Sequence, residues 1–152
     1  MKGIRLEKKG KRLELDLYGT VGSIWDDGIN AAKVVALLRN AEDVTEIECR
    51  INSMGGNAFD GIAIMNALKD HPAEVTVKVD GLAASAASII AMAGDTIEMG
   101  EGSFLMVHRA SGFVYGQADD MLKTAEILEK ADGEIIDVYA RRSKKPLETV
   151  RG

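Results

Sequence analysis

From Arg12 to Tyr18 polar residues alternate with Leu13, Leu15 and Leu17, which share one face, and the alternation predicts a strand. Gly19 to Gly22 turns the chain. From Trp25 onward Ile29, Ala32, Val35, Ala36 and Leu38 recur at helical spacing, with Asp26 or Asp27 as the cap. Thr45 to Ile51 reads as a second strand, and Asn52-Ser53-Met54-Gly55-Gly56-Asn57 as a turn cluster. Ala58 to Leu68 is apolar at helical spacing and is broken at His71-Pro72. Val75 to Asp80 alternates again. After Gly81 the residues become small, predicting a buried helix over 83–93 that stops at Gly94. Thr96 to Met99 and Phe104 to Val107 read as short strands, and Ser111 to Gly116 as a glycine-bearing loop. Gln117 to Arg142 is a long helix, and Pro146 restarts a short one. Strand and helix thus alternate through the first 107 residues, which predicts a single α/β domain with largely parallel strands.

Composition narrows the function classes. The 152 residues are 46% hydrophobic and 28% charged, as in soluble globular domains. Acidic residues number 24 against 19 basic, a net charge of −5 that argues against nucleic acid as a partner. The basic cluster Lys2, Arg5, Lys8, Lys9, Lys11 and Arg12 reads as a solvated edge or frayed terminus. The single cysteine, Cys49, excludes an internal disulfide and falls in a strand pattern, as a buried structural thiol would. One cysteine with two histidines does not suit a zinc site, and no cofactor or metal is expected. The charged start lacks the apolar run of a signal peptide, and no stretch is apolar for long enough to span a membrane. A cytoplasmic location is the expectation.

Three places at predicted strand ends carry candidate chemistry. Gly55-Gly56 either forms a tight turn or presents amides to a substrate. Ser85 sits in the expected first turn of the small-residue helix, among unpaired amides, where a hydroxyl can attack a carbonyl. The alternative is a helix whose serines merely fit among alanines. His108 follows an apolar strand and is either structural or a base. A nucleophile, a base and an amide-presenting turn together form the acyl-transfer set. The Gly-x-Ser-x-Gly elbow, the phosphate-binding loop and the dinucleotide fingerprint are absent.

Ile51-Asn52-Ser53-Met54-Gly55-Gly56, Asp80-Gly81-Leu82-Ala83-Ala84-Ser85 and Phe104-Leu105-Met106-Val107-His108 together resemble the Clp peptidase family, ClpP. The resemblance runs from about residue 15 to the end, with Met54 where the family usually has proline. Gly116-Gln117-Ala118-Asp119-Asp120 resembles the start of the family's handle segment. Val79 to Ser85 with Met92-Ala93-Gly94-Asp95 looks most like the phage and prophage branch, the head-maturation (prohead) proteases.

The resemblance implies a crotonase-like spiral of β-β-α units with a long protruding handle helix, and a ring-forming serine peptidase. Ser85 matches the nucleophile and His108 the base. Gly56 and Ala86 match the positions whose amides form the oxyanion hole. Gly55 and Asn57 fall in the substrate-binding segment, where a strand following the glycine pair holds the peptide by backbone pairing. Ser88, one turn deeper, is expected to point into packing. The implied partners are polypeptides, such as capsid or scaffold proteins, and further copies of the chain, in a ring or in stacked rings joined by the handle. Along that helix Met121, Leu122, Ala125, Leu128, Ala131, Ile135, Val138 and Tyr139 spread wider than one stripe.

Two departures bear on function. The segment that contacts the unfoldase ATPase is not evident in the first twelve residues, which counts against a dedicated ATPase partner. No residue matches the family's triad aspartate; Asp119, Asp120, Asp132, Asp137 and Glu148 do not fit the place. The expectation is that the C-terminal part of the family domain is missing and that the chain alone is a poor peptidase. The competing functions are a crotonase-type acyl-CoA enzyme, a Ser–Lys protease and a catalytically incomplete scaffold or assembly protein.

Overall fold

Alternating leucines become a core strand because each second side chain points to the same side of a sheet. The computed structural model describes residues 3–22 and 28–151. In it β2 (Arg12–Val21) buries Leu13, Leu15 and Leu17 completely. β3 (Glu46–Gly56) and β4 (Glu74–Ala84) supply Ile47, Cys49, Ile51, Val75, Val77 and Val79 to the same core. β2, β3, β4 and β5 (Thr96–Met99) are neighbours in that order and all parallel, and β6 (Phe104–Met106) pairs parallel with β4.

The connections carry helices α1 (Ala31–Arg39), α2 (Ala58–Lys69) and α3 (Ala86–Ala91). Asn30 caps α1, its side chain accepting from the Lys33 N–H. Trp25, Asp26 and Asp27, expected to open and cap that helix, lie outside the described residues.

The chain start holds a strand that the sequence reading does not assign, and the solvated edge expected there is that strand's. β1 (Gly3–Lys9) pairs antiparallel with β2 through a two-residue turn at Gly10-Lys11, where Gly10 takes φ +61°. The basic cluster is therefore largely an edge strand, and its charges are matched. Lys8 pairs with Asp43, Lys9 with Glu14, and Arg12 with Glu48.

The sheet face opposite the core carries a lattice of charges centred on Glu48, which meets Arg12, Arg50 and Lys78. Arg50 also pairs with Asp80, which accepts the Tyr18 hydroxyl. Burial acts to raise the Glu48 pKa, but Lys78, Arg12 and Arg50 outweigh it and hold the carboxyl below its ordinary value.

By contact density the chain forms two units, Met1–Val107 and His108–Gly152. The second contains α4 (Ala118–Ser143), which matches the expected long helix, and α5 (Leu147–Arg151). Among the described residues no helix is long and apolar enough to cross a membrane.

Two expectations follow from the sheet. Burial pushes the Cys49 thiol up to about 12, so Cys49 should resist iodoacetamide at pH 8 and react only when urea unfolds the chain. Mass spectrometry of alkylated protein checks this. For Glu48, a lowered pKa means that its contribution to stability is whole above the ordinary carboxylate range. It is lost as pH falls through the lower folded value. Glu48→Gln should therefore flatten the loss of stability between about pH 5 and about pH 3, measured by urea unfolding at each pH.

Candidate active site

β4 does not end at Gly81, where the sequence predicts the strand to stop. Its pairing with β3 jumps from Ile51↔Val79 to Ser53↔Ala83, so β4 carries two extra residues in a bulge. Gly81 lies in that bulge, and a Cβ there would come within 3.0 Å of the Asn52 side-chain oxygen. Beyond it Leu82, Ala83 and Ala84 continue as strand and pair with Phe104, Leu105 and Met106 of β6. The bulge thus passes β4 from β5 to β6 as its neighbour.

The sharp turn falls on Ser85 itself. Its backbone takes φ 53° and ψ −124°, a conformation an L-residue adopts only when its surroundings impose it. Those surroundings are explicit. The Ser85 N–H donates to the Met106 carbonyl at 2.9 Å. The Ser85 carbonyl accepts the Ser88 N–H at 2.9 Å and the Ser88 hydroxyl at 2.6 Å. Ser88 is fully buried and braces the turn from behind, in keeping with its expected inward direction. Ser85 is half-buried. It is the cap of α3, not part of its first turn, and α3 spans 86–91 where 83–93 is expected.

The glycine pair closes on this turn. Gly55 has φ +90°, and a Cβ on it would lie 2.5 Å from the Ala84 carbonyl oxygen, 2.6 Å from the Ser85 Cβ and 2.9 Å from the Ala86 nitrogen. No side chain fits there. Gly56 has φ +145°, and a Cβ there would collide with the Val21 carbonyl oxygen. The cluster expected as a turn is therefore the end of β3, with an extra residue between Tyr18↔Asn52 and Thr20↔Gly55. The Ser53 hydroxyl, buried beneath, accepts the Gly55 N–H at 3.0 Å. Gly61 of α2 brings that helix against the same turn, since a Cβ there would stand 2.8 Å from the Ala86 carbonyl oxygen. In the first unit, Gly55, Ser85 and Ala86 are in direct contact.

No strand follows the glycine pair, which corrects the expectation of a peptide-binding strand there. Asn57 caps α2, its Oδ1 accepting the Phe59 and Asp60 N–H groups at 2.9 and 3.2 Å, and the helix begins at Ala58.

His108 opens the second unit with its side chain exposed. The two residues after it are tied to Asp132 of α4. The Ala110 N–H donates to Asp132 Oδ1, and Arg109 Nε donates to Oδ2 at 2.8 Å. Asp132 is buried. Burial acts to raise its pKa, but the Ala110 N–H and the Arg109 guanidinium, with the nearby His108 imidazole adding to them, hold the carboxyl below its ordinary value.

Sequence reasoning overlooked Ser53 and set Asp132 merely along the helix. Ser53 precedes Gly55 by two, the spacing at which a hydroxyl accepts a local amide. Asp132 follows Leu128 by four and precedes Ile135 by three, so a lone acid stands in the apolar stripe of α4. Both signals are present in the sequence.

Comparison with known proteins identifies the family. The "ATP-dependent Clp protease proteolytic subunit" of Pleurastrum terricola is 30% identical over 135 residues, covering 85% of this chain and 67% of its own length. The protein of the same name from Ligilactobacillus salivarius is 33% identical over 132 residues, with 85% and 67% covered. "ATP-dependent Clp protease proteolytic subunit 1" of Bacillus cereus is 32% identical over 143 residues, with 91% and 74% covered. The family model described as Clp protease matches residues 20–152, from the end of β2 through the Ser85 turn to α5, and the chain belongs to the Clp protease family.

Proposed function

We propose that the chain is a serine endopeptidase in which Ser85 is the nucleophile and His108 the base. The Ser85 oxygen attacks the scissile carbonyl carbon while His108 takes its proton. The amide N–H groups of Gly56 and Ala86 hold the oxyanion. His108 then returns the proton to the leaving amine, and water hydrolyses the acyl-enzyme by the same steps. The substrate backbone lies along Gly55 to Asn57.

The observation that carries this reading is the Ser85 backbone. A serine at φ 53° is costly, by about 1–3 kcal/mol, and such strain collects at functional sites. Here it is locked from three sides, by Gly55, by Ser88 and by the Met106 carbonyl. After the strand β6 that supplies this carbonyl, the chain continues through Val107 to His108. Family membership supports the peptidase assignment.

The substrates we propose are polypeptides of phage capsid or scaffold type, as the resemblance of Val79 to Ser85 to the prohead branch suggests. Short peptides would be cut without ATP. We further propose that copies of the chain associate in rings through α4, where Met121, Leu122 and Ile127 are 51%, 64% and 54% exposed. Clustered exposed apolar side chains of this size mark interaction surfaces. Ile135, by contrast, is buried within the chain, so its substitution would report on folding instead.

A fluorophosphonate probe tests the chemistry. Labelling should map to Ser85 and vanish in Ser85→Ala. Ser88→Ala should keep the label on Ser85 but slow it several-fold, because the turn loses a brace. Label on another residue, or label surviving in Ser85→Ala, would refute the assignment. For assembly, the unaltered protein should sediment as an oligomer and Leu122→Asp with Ile127→Asp as a smaller species of unchanged helix content. A monomer without the substitutions would refute it.

A further inference from the structure

The loop that begins with the base has one buried anchor. From Val107 to Tyr115 the chain forms neither helix nor strand, and Val107, His108, Arg109, Phe113 and Tyr115 are all exposed. A segment so open has little packing of its own to fix its backbone. Yet the two residues directly after His108 are both bonded to one carboxylate, Asp132, on a helix turn 23 and 22 residues further along the chain. Oδ1 takes the Ala110 N–H and Oδ2 takes the Arg109 guanidinium. Bonds to an ionised acceptor are about twice as strong as neutral ones. Asp132 is 7% exposed, so water competes little for the Ala110 bond, while the Arg109 guanidinium reaches it from the solvent side.

A second contact runs to the same helix. A Cβ on Gly112 would stand 3.6 Å from Leu128, one turn before Asp132. The loop thus passes near Leu128 and is tied down at Asp132.

We propose that Asp132 is the positioning residue for the base: by holding Arg109 and Ala110 it sets the backbone from which the His108 imidazole projects. This rests on the reading of His108 as general base. Asp132 acts through the main chain, with no role as acceptor for the imidazole N–H. A base displaced by about 1 Å costs on the order of 10²-fold in rate. The loss should fall on kcat, with KM little changed, because the peptide's own contacts are untouched.

The test is a double-mutant cycle on peptide hydrolysis and on the rate of fluorophosphonate labelling, using Asp132→Ala, His108→Ala and the double variant. Sedimentation and thermal melting confirm that each is assembled and folded. Asp132→Ala should lower kcat on the order of 10²-fold, and in the His108→Ala background it should cost nothing further. Asp132→Asn, which keeps an acceptor for the Ala110 N–H, should recover most of the loss, and it serves as the readout if Asp132→Ala does not fold. A cost of equal size with and without His108 would overturn the inference, because Asp132 would then act through the fold. Full activity in Asp132→Ala would overturn it too. Full activity in His108→Ala would overturn the assignment of the base and this inference with it.

Discussion

The approach of Gly55 to the Ser85 turn is the constraint on which the rest of the site depends. Three atoms of the turn, the Ala84 oxygen, the Ser85 Cβ and the Ala86 nitrogen, stand where a Cβ on residue 55 would be. Only glycine permits that distance, and only glycine readily takes the φ of +90° that the end of β3 requires there. The closeness has a chemical consequence. It places main-chain groups of β3 beside a serine whose own backbone is strained, so an amide-bearing segment and a hydroxyl share one spot on a rigid sheet. Rigid placement of donors before a substrate arrives is the main source of oxyanion stabilisation in enzymes.

The bulges in β3 and β4 show how an ordinary parallel sheet yields that spot. Each strand runs regularly along the core, with Ile47, Cys49 and Ile51 in β3 and Val75, Val77 and Val79 in β4 fully or almost fully buried. Extra residues then enter at the ends of both strands, at Ser53 and Met54 against β2 and at Asp80 to Leu82 against β3. Bulges bend a strand and re-aim its side chains. In β4 the effect is a change of partner from β5 to β6, and it carries the chain to Ser85 as strand. The buried core lies along the regular halves, and the candidate site lies where the regularity is broken.

That division explains what the sequence made legible. Alternation at Leu13, Leu15, Leu17 and at Val75, Val77, Val79 reports burial on one face, so strands and their order in the chain are readable. Three ordered motifs around Gly55-Gly56, Ser85 and His108 made the family readable. Bulges are not readable in the same way, because they depend on two strands in register. A glycine at 81 followed by alanines satisfies helix propensity equally well, and pairing with β6 overrides it. The edge strand β1 was hidden by its charges, which face acids on β2 and on the chain after α1. Asp132 shows the converse, a charge on the buried side of a helix that is explained by the Ala110 N–H and the Arg109 guanidinium, 22 and 23 residues earlier in the sequence.

We propose that the strained Ser85 and His108, two residues after β6, act as one catalytic unit. A peptide chloromethyl ketone tests it directly, because such a reagent alkylates a histidine efficiently only when a neighbouring serine first captures its carbonyl. The chain has two histidines, and His71 is held elsewhere, its ring near the Ala41 carbonyl and the Ala73 N–H. Peptide mapping should find the adduct on His108 and not on His71, and Ser85→Ala should abolish it. Equal alkylation of both histidines, or alkylation of His108 that persists in Ser85→Ala, would contradict the account.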